Sequence, residues 1–234
     1  MSELVTYRQA AATATITMDD GKVNALSPQM FDELNSALDR AEAAGATVVL
    51  AGREGVFSAG FDLGILRAGG PQTPALVRSG FELSARLLEF PAPVVVACTG
   101  HAIAMGAFLL LSGDLRLGAA GPYRITANEV AIGLTMPRPA IEICRQRLAP
   151  AHFNRALILA GVYPPDEAAT AGFLDRVVPP AELGAAAQAA AEQLATLDMA
   201  AHAATKRRIR QPVAEAIRAA LEEDARALAA TART

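Results

Sequence analysis

Two short runs, Thr47-Val48-Val49-Leu50-Ala51 and Pro93-Val94-Val95-Val96-Ala97-Cys98, restrict the fold of this chain more than any other part of it. Each is apolar at almost every position and rich in β-branched residues. A strand with one wet face alternates polar and apolar residues, whereas a strand covered on both faces does not, so this continuity marks a buried parallel sheet. Parallel neighbours need a crossover, and the sequence offers helices in the right places. Before the first run, Ser27 can cap a helix and Pro28 suits its first turn. Phe31, Leu34, Leu38 and Ala41 then recur at three- and four-residue spacing, and Gly45 supplies the stop. Before the second run, the apolar residues from Leu76 to Leu88 fall on one helix side. Thr13 to Met18 alternates and ends in Asp19-Asp20-Gly21, a strand closing in a turn. The class is α/β.

Farther along, Thr99 to Ala107 reads as a tight turn entering a buried helix over Phe108 to Leu111. Leu115-Arg116-Leu117 and Tyr123-Arg124-Ile125-Thr126 read as strands separated by a flexible Gly118-Ala119-Ala120-Gly121. Beyond Pro137, Ala-rich stretches with helical spacing dominate: Ile141 to Ala160, Ala181 to Leu197, and Pro212 to Ala230. The expected organisation is a core over residues 1–180 and a helical region over 181–234. Gly69-Gly70-Pro71 marks a loop able to move.

With 52% apolar residues the chain is too hydrophobic for disorder, yet no apolar run approaches the ~20 residues of a membrane span. A soluble protein without membrane partners is expected. Met1 to Arg8 includes an early acid and no apolar segment of signal-peptide type, and Cys98 and Cys144 lack metal or redox spacing. Both point to a cytoplasmic location. A formal charge of −3 and the absence of Trp argue against nucleic acid. The basic cluster Lys206-Arg207-Arg208-Ile209-Arg210 reads as a solvated helix face rather than an anion site.

Two loops could carry chemistry. Gly55 to Leu63 follows the first buried strand, and Gly100 to Gly106 follows the second, and both consist largely of small residues. Such loops let main chain approach a ligand and can leave N–H groups unpaired, although ordinary turns have the same composition. Converging, they would make an oxyanion hole, a set of preorganised donors for charge developing on a carbonyl oxygen.

The segments Val23-Asn24-Ala25-Leu26-Ser27, Phe57-Ser58-Ala59-Gly60-Phe61-Asp62-Leu63 and Pro93 to Gly106, with Asp114 following, resemble the crotonase family of enoyl-CoA hydratases and isomerases. Their order, type and separation match through Val177-Val178. The resemblance implies a crotonase-like spiral of ββα units and a C-terminal helical region that builds homotrimers or hexamers. It also implies an acyl-CoA thioester substrate, with coenzyme A entering as part of the substrate and no separate cofactor. By position it assigns the oxyanion donors to the N–H groups of Phe61 and Met105. Ala25, Ala59, Leu63 and Gly64 match backbone positions along the adenine and pantetheine, Asp62 a turn cap beside them, and Lys22 and Lys206 are candidate phosphate partners. Where the family usually has Gly, this chain has Ala104 and Met105, so Met105 should reshape the acyl pocket.

The acids separate the reactions that the resemblance allows. Hydratases of the family hold a water between two Glu residues, and here the first position is Phe108 while the second matches Glu129. Alone, Glu129 reads as a surface or capped residue, since Glu is seldom buried without a partner. The resemblance makes it the base, and a single acid preceded by Asn128 resembles the isomerase branch. Enoyl-CoA double-bond isomerisation is therefore expected. A hydratase of the fatty-acid β-oxidation type (a lyase) is the nearest alternative, and a catalytically silent acyl-CoA-binding subunit is a third. Glu142 reads as a helix-surface acid and His101 as a packing residue. His152 and His202 have no metal-type company, so no metal is assigned, and Ser58 and Ser112 lack a paired base.

Overall fold

The computed structural model describes residues 3–231. The first two residues of the amino-terminal reading and the last three of the helical region lie outside the described residues. The chain opens with β1 (Val5–Ala10), β2 (Thr13–Met18), β3 (Ala25–Leu26) and α1 (Pro28–Ala43). Next come β4 (Thr47–Ala51), β5 (Gly55–Ser58), β6 (Gly60–Phe61), α2 (Leu63–Ala68) and α3 (Gln72–Glu89). β7 (Val94–Cys98), β8 (Gly100–Ile103) and α4 (Met105–Leu111) follow, then β9 (Leu115–Ala119), β10 (Ile125–Thr126), a 3-10 turn at Val130–Ile132 and α5 (Arg138–Arg145). α6 (Pro150–Leu157), α7 (Pro165–Ala171), β11 (Arg176–Val178), α8 (Pro180–Leu194) and α9 (Met199–Thr231) complete the described chain.

A six-stranded sheet has the order β1-β2-β4-β7-β9-β11, antiparallel at its first pair and parallel thereafter. A second sheet, β10-β8-β5, is parallel throughout, and β3 pairs with β6. Each of the units starting at β2, β4, β7 and β9 thus gives one strand to the large sheet, then one strand (two, β5 and β6, after β4) to the small sheets, and then a helix. That is the ββα spiral the resemblance implied.

The apolar continuity of β4 and β7 has the expected cause, because alternate residues meet two different layers. Val48, Leu50, Val94 and Val96 pack into the main core with α1 and α3, while Val49, Val95 and Ala97 pack under Leu183, Ala187 and Ala191 of α8. Ser27 caps α1, its Oγ accepting the Met30 N–H at 3.2 Å, and Gly45 leaves the helix at a φ of +60°. α9 lies along α3 and α5 and sends Ala214, Ile217 and Leu221 into the main core. α8 and α9 thus pack onto the spiral through residues up to Leu221.

Several local expectations differ from what is observed. Gly100 to Ile103, expected as turn, is strand β8, and the turn shrinks to Ala104. Gly118 and Ala119, expected to be flexible, extend β9 and pair with β11. The stretch from Ile141 to Ala160 is two helices, because Pro150 begins a new one. α9 begins at Met199 and runs through Pro212. β1 escaped notice because only Val5 of its six residues is buried.

The basic cluster is not one solvated face. Arg207 and Arg208 are exposed, but Lys206 is buried, with Nζ 2.5 Å from Asp114 Oδ2 and 3.2 Å from the Ala92 carbonyl oxygen, and Arg210 donates to Gln146. This ion pair fastens α9 to the start of β9. Removing one member of a buried pair strands the other. Lys206→Met is expected to lower stability by ~2–3 kcal/mol, at the low end because Asp114 keeps some solvent contact, and to lower Tm in a thermal melt by several degrees.

Candidate active site

The first loop is held by a network centred on Asn24, a fully buried residue at a φ of +52°. Its Nδ2 donates to the carbonyl oxygens of Met18 (3.0 Å) and Phe57 (3.1 Å), and its Oδ1 accepts the Asp20 N–H (3.0 Å). Asp20 accepts the N–H groups of Lys22, Asn24 and Ala25 in turn. Burial pushes its pKa up, but those donors prevail and hold the carboxyl below its usual range. Ser58 Oγ donates to the Asn24 carbonyl oxygen (2.8 Å) and accepts the Gly60 N–H (3.1 Å). The Asp62 N–H donates to Leu26 on β3 (3.1 Å). Along an extended ribbon successive N–H groups point to opposite sides, so the Phe61 N–H faces away from β3.

The second loop turns at Ala104, whose φ of +51° and ψ of −123° suit glycine far better than an L side chain. Its own N–H is fixed on Thr126 O of β10 (2.9 Å). Met105 is the first residue of α4, so its N–H has no intrahelical acceptor. The loops approach to main-chain contact. A Cβ on Gly60 would stand 2.9 Å from Ile103 O and 3.2 Å from Met105 N, and one on Gly106 would stand 2.3 Å from Ser58 O. The residue just before Phe61 therefore abuts the Met105 N–H, and the two amides share one neighbourhood.

Pairing of β10 with β8, Thr126 opposite Ile103, brings the segment that follows to the same loop. Glu129 lies three residues on, 6% exposed, with Oε2 lacking any hydrogen-bond partner among the described residues. Burial pushes its pKa up to about 7, only partly opposed by its own main-chain N–H. Thr126 Oγ1 and Asn128 Oδ1 beside it are also buried without partners among the described residues. Phe108 is buried and stacks on Phe81 at 6.1 Å, while Phe61 meets Phe31 and Phe81 edge-on at 6.3 Å. A hydrocarbon wall thus stands at position 108, and a lone carboxyl able to take and return a proton near neutrality stands at 129. Clefts elsewhere, one of about 650 Å³ under α8 and one of about 430 Å³ beside Lys206, contain none of Phe61, Met105 and Glu129.

Other anticipated residues fall into two groups. Ala25 pairs with Gly60, the Ala59 N–H donates to Val23, and Asp62 caps α2 by accepting the N–H groups of Gly64 and Ile65, so these join Lys22, Leu63 and Gly64 on one partly exposed rim. Lys206 is elsewhere, its ammonium engaged by Asp114 rather than free for a phosphate. His101 accepts the Arg124 N–H at Nδ1 (3.0 Å) and packs on Tyr123. Glu142 pairs with Arg145 at 3.6 Å. Sequence reasoning missed the roles of Asn24 and Ser58. An Asn or Ser between strands is ordinary, and only the pairing of distant segments reveals what it ties.

Spiral topology and the abutting loops define the crotonase class of fold. The family model described as enoyl-CoA hydratase/isomerase matches residues 8–234. Human mitochondrial enoyl-CoA delta isomerase 1 is 30% identical over 90% of this chain and 72% of its own length. Among solved structures, a Mycobacterium tuberculosis protein, described as an enoyl-CoA isomerase in one structure and as a probable enoyl-CoA hydratase in another, is 48% identical with a TM-score of 0.91 in the former, covering 95% of this chain and 97% of that one. An enoyl-CoA hydratase from Mycobacterium ulcerans is also 48% identical, with a TM-score of 0.90, covering 94% and 96%. The chain belongs to the enoyl-CoA hydratase/isomerase family.

The raised pKa of Glu129 has a consequence for stability. Between its ordinary value of 4.5 and about 7, the folded state binds more protons than the unfolded one, so stability declines as pH rises through that window. Glu129→Gln is therefore expected to stabilise the protein at pH 8 relative to the parent, by an amount on the order of 3 kcal/mol, and by much less at pH 5. Thermal melts of both proteins at the two pH values check this.

Proposed function

We propose that the protein is an enoyl-CoA double-bond isomerase in which Glu129 alone shuttles the proton. The observation that carries this reading is the lone buried carboxyl of Glu129 with Phe108 in the place of a second acid. The N–H groups of Phe61 and Met105 receive the thioester oxygen of a 3-enoyl-CoA. Glu129 removes a proton from C2, and the electron pair spreads over the dienolate, whose oxygen charge the two donors stabilise more strongly than they do the neutral carbonyl. Glu129 then returns the proton to C4, giving the 2-enoyl isomer with no net gain or loss of atoms. The partly exposed rim at Lys22, Ala25, Ala59, Leu63 and Gly64 receives the coenzyme A portion.

Hydration is the second reading, favoured by the M. ulcerans relative, whose description is enoyl-CoA hydratase. It would place a water against Glu129 with one of its two anchors replaced by a phenyl ring. The exposed apolar side chains Val130, Ile132, Leu134, Ile158, Leu159 and Val162 support assembly into a homotrimer or hexamer, and we place the enzyme in the cytoplasm.

Purified protein incubated with 3-enoyl-CoA is expected to yield the 2-enoyl isomer. With 2-enoyl-CoA it is expected to yield little 3-hydroxyacyl product. The reverse pattern establishes the hydratase, and ester binding without turnover of either substrate establishes a silent binder. Glu129→Gln is expected to lower turnover by at least ~100-fold while retaining ester binding. Because the carboxylate is the active form, kcat/KM is expected to fall about tenfold per unit below pH 7, and a flat profile from pH 5 to 8 contradicts the role.

A further inference from the structure

Both residues proposed as oxyanion donors rest their side chains on the same spot of α3. A Cβ added to Gly80 would lie 2.5 Å from Phe61 Cε1, 2.7 Å from Phe61 Cζ and 3.3 Å from Met105 Sδ. Gly80 is interior to the helix, buried, and has no left-handed backbone to explain it. Glycine there costs about 1 kcal/mol relative to alanine, so conformation argues against glycine and only the space argues for it. The Phe61 ring filling that space is wedged edge-on between Phe31 and Phe81, leaving it little room to retreat.

We propose that Gly80 is a positioning residue for the oxyanion hole: its missing side chain is the seat that fixes Phe61 and Met105 together, and hence the relative placement of their N–H groups. The proposal rests on the oxyanion reading above. A methyl group at position 80 pushes the ring, and with it the short β6 backbone, out of register with the Met105 turn. Misplacement of about 1 Å in such a site can cost ~100-fold.

The experiment uses acetoacetyl-CoA, whose enolate has its own ultraviolet band, bound to the full-length protein, with calorimetric titration of the same ester as the binding readout. Parent protein is expected to show the enolate band. Gly80→Ala is expected to bind the ester within about threefold of the parent and to lose ~10–100-fold of the bound enolate. Gly80→Ala combined with Phe61→Leu, which exchanges the ring for a shorter side chain, is expected to recover most of it. An unchanged band in Gly80→Ala overturns the proposal. If that variant does not fold, Phe61→Ala is read instead, since it keeps the amide and empties the seat: loss of the band supports the proposal and retention overturns it. Absence of the band in parent protein that binds the ester overturns the oxyanion reading itself, a result distinct from either variant's.

Discussion

Main-chain contact between two loops is the constraint from which the site follows. Gly60 and Gly106 stand where any side chain would collide with the carbonyl oxygen of the opposite loop. That closeness comes from a second sheet, into which the chain passes as β5 and β8 directly after β4 and β7 of the large one. The buried apolar strands, the crossover helices and the α8 cover all serve to hold those exits in place. Asn24 and Ser58 then fix the first loop by hydrogen bonds, and Thr126 fixes the second.

In the proposed function, proton chemistry is set by what the site lacks. In the proposed mechanism the position that would carry a second acid is Phe108, buried and stacked on Phe81, so Glu129 works without a carboxylate partner. Burial alone moves the Glu129 carboxyl up to about 7, where its basic and acidic forms are both accessible. The strained turn at Ala104 belongs to the same economy of space, holding the Met105 N–H at the head of α4 despite the Cβ.

The large sheet was legible in the sequence because its cause is local: uninterrupted apolar strands and capped amphipathic helices declare themselves residue by residue. β8 was not, since Gly100 looks like a turn former until Gly55 is found packed where its side chain would be. The inward turn of Lys206 was equally hidden, because its partner Asp114 lies 92 residues away. The candidate site was legible only through resemblance. Small-residue loops are ambiguous one at a time, and the burial of Glu129, with Cys144 of α5 beside it, is a tertiary outcome that no spacing reveals.

A structure of the protein with an unreactive acyl-CoA bound tests the central claim most directly. The account predicts the thioester oxygen at ~2.7–3.1 Å from both the Phe61 and the Met105 nitrogens, with C2 facing the Glu129 carboxyl. A thioester oxygen turned to solvent, or either amide engaged by another carbonyl, contradicts it.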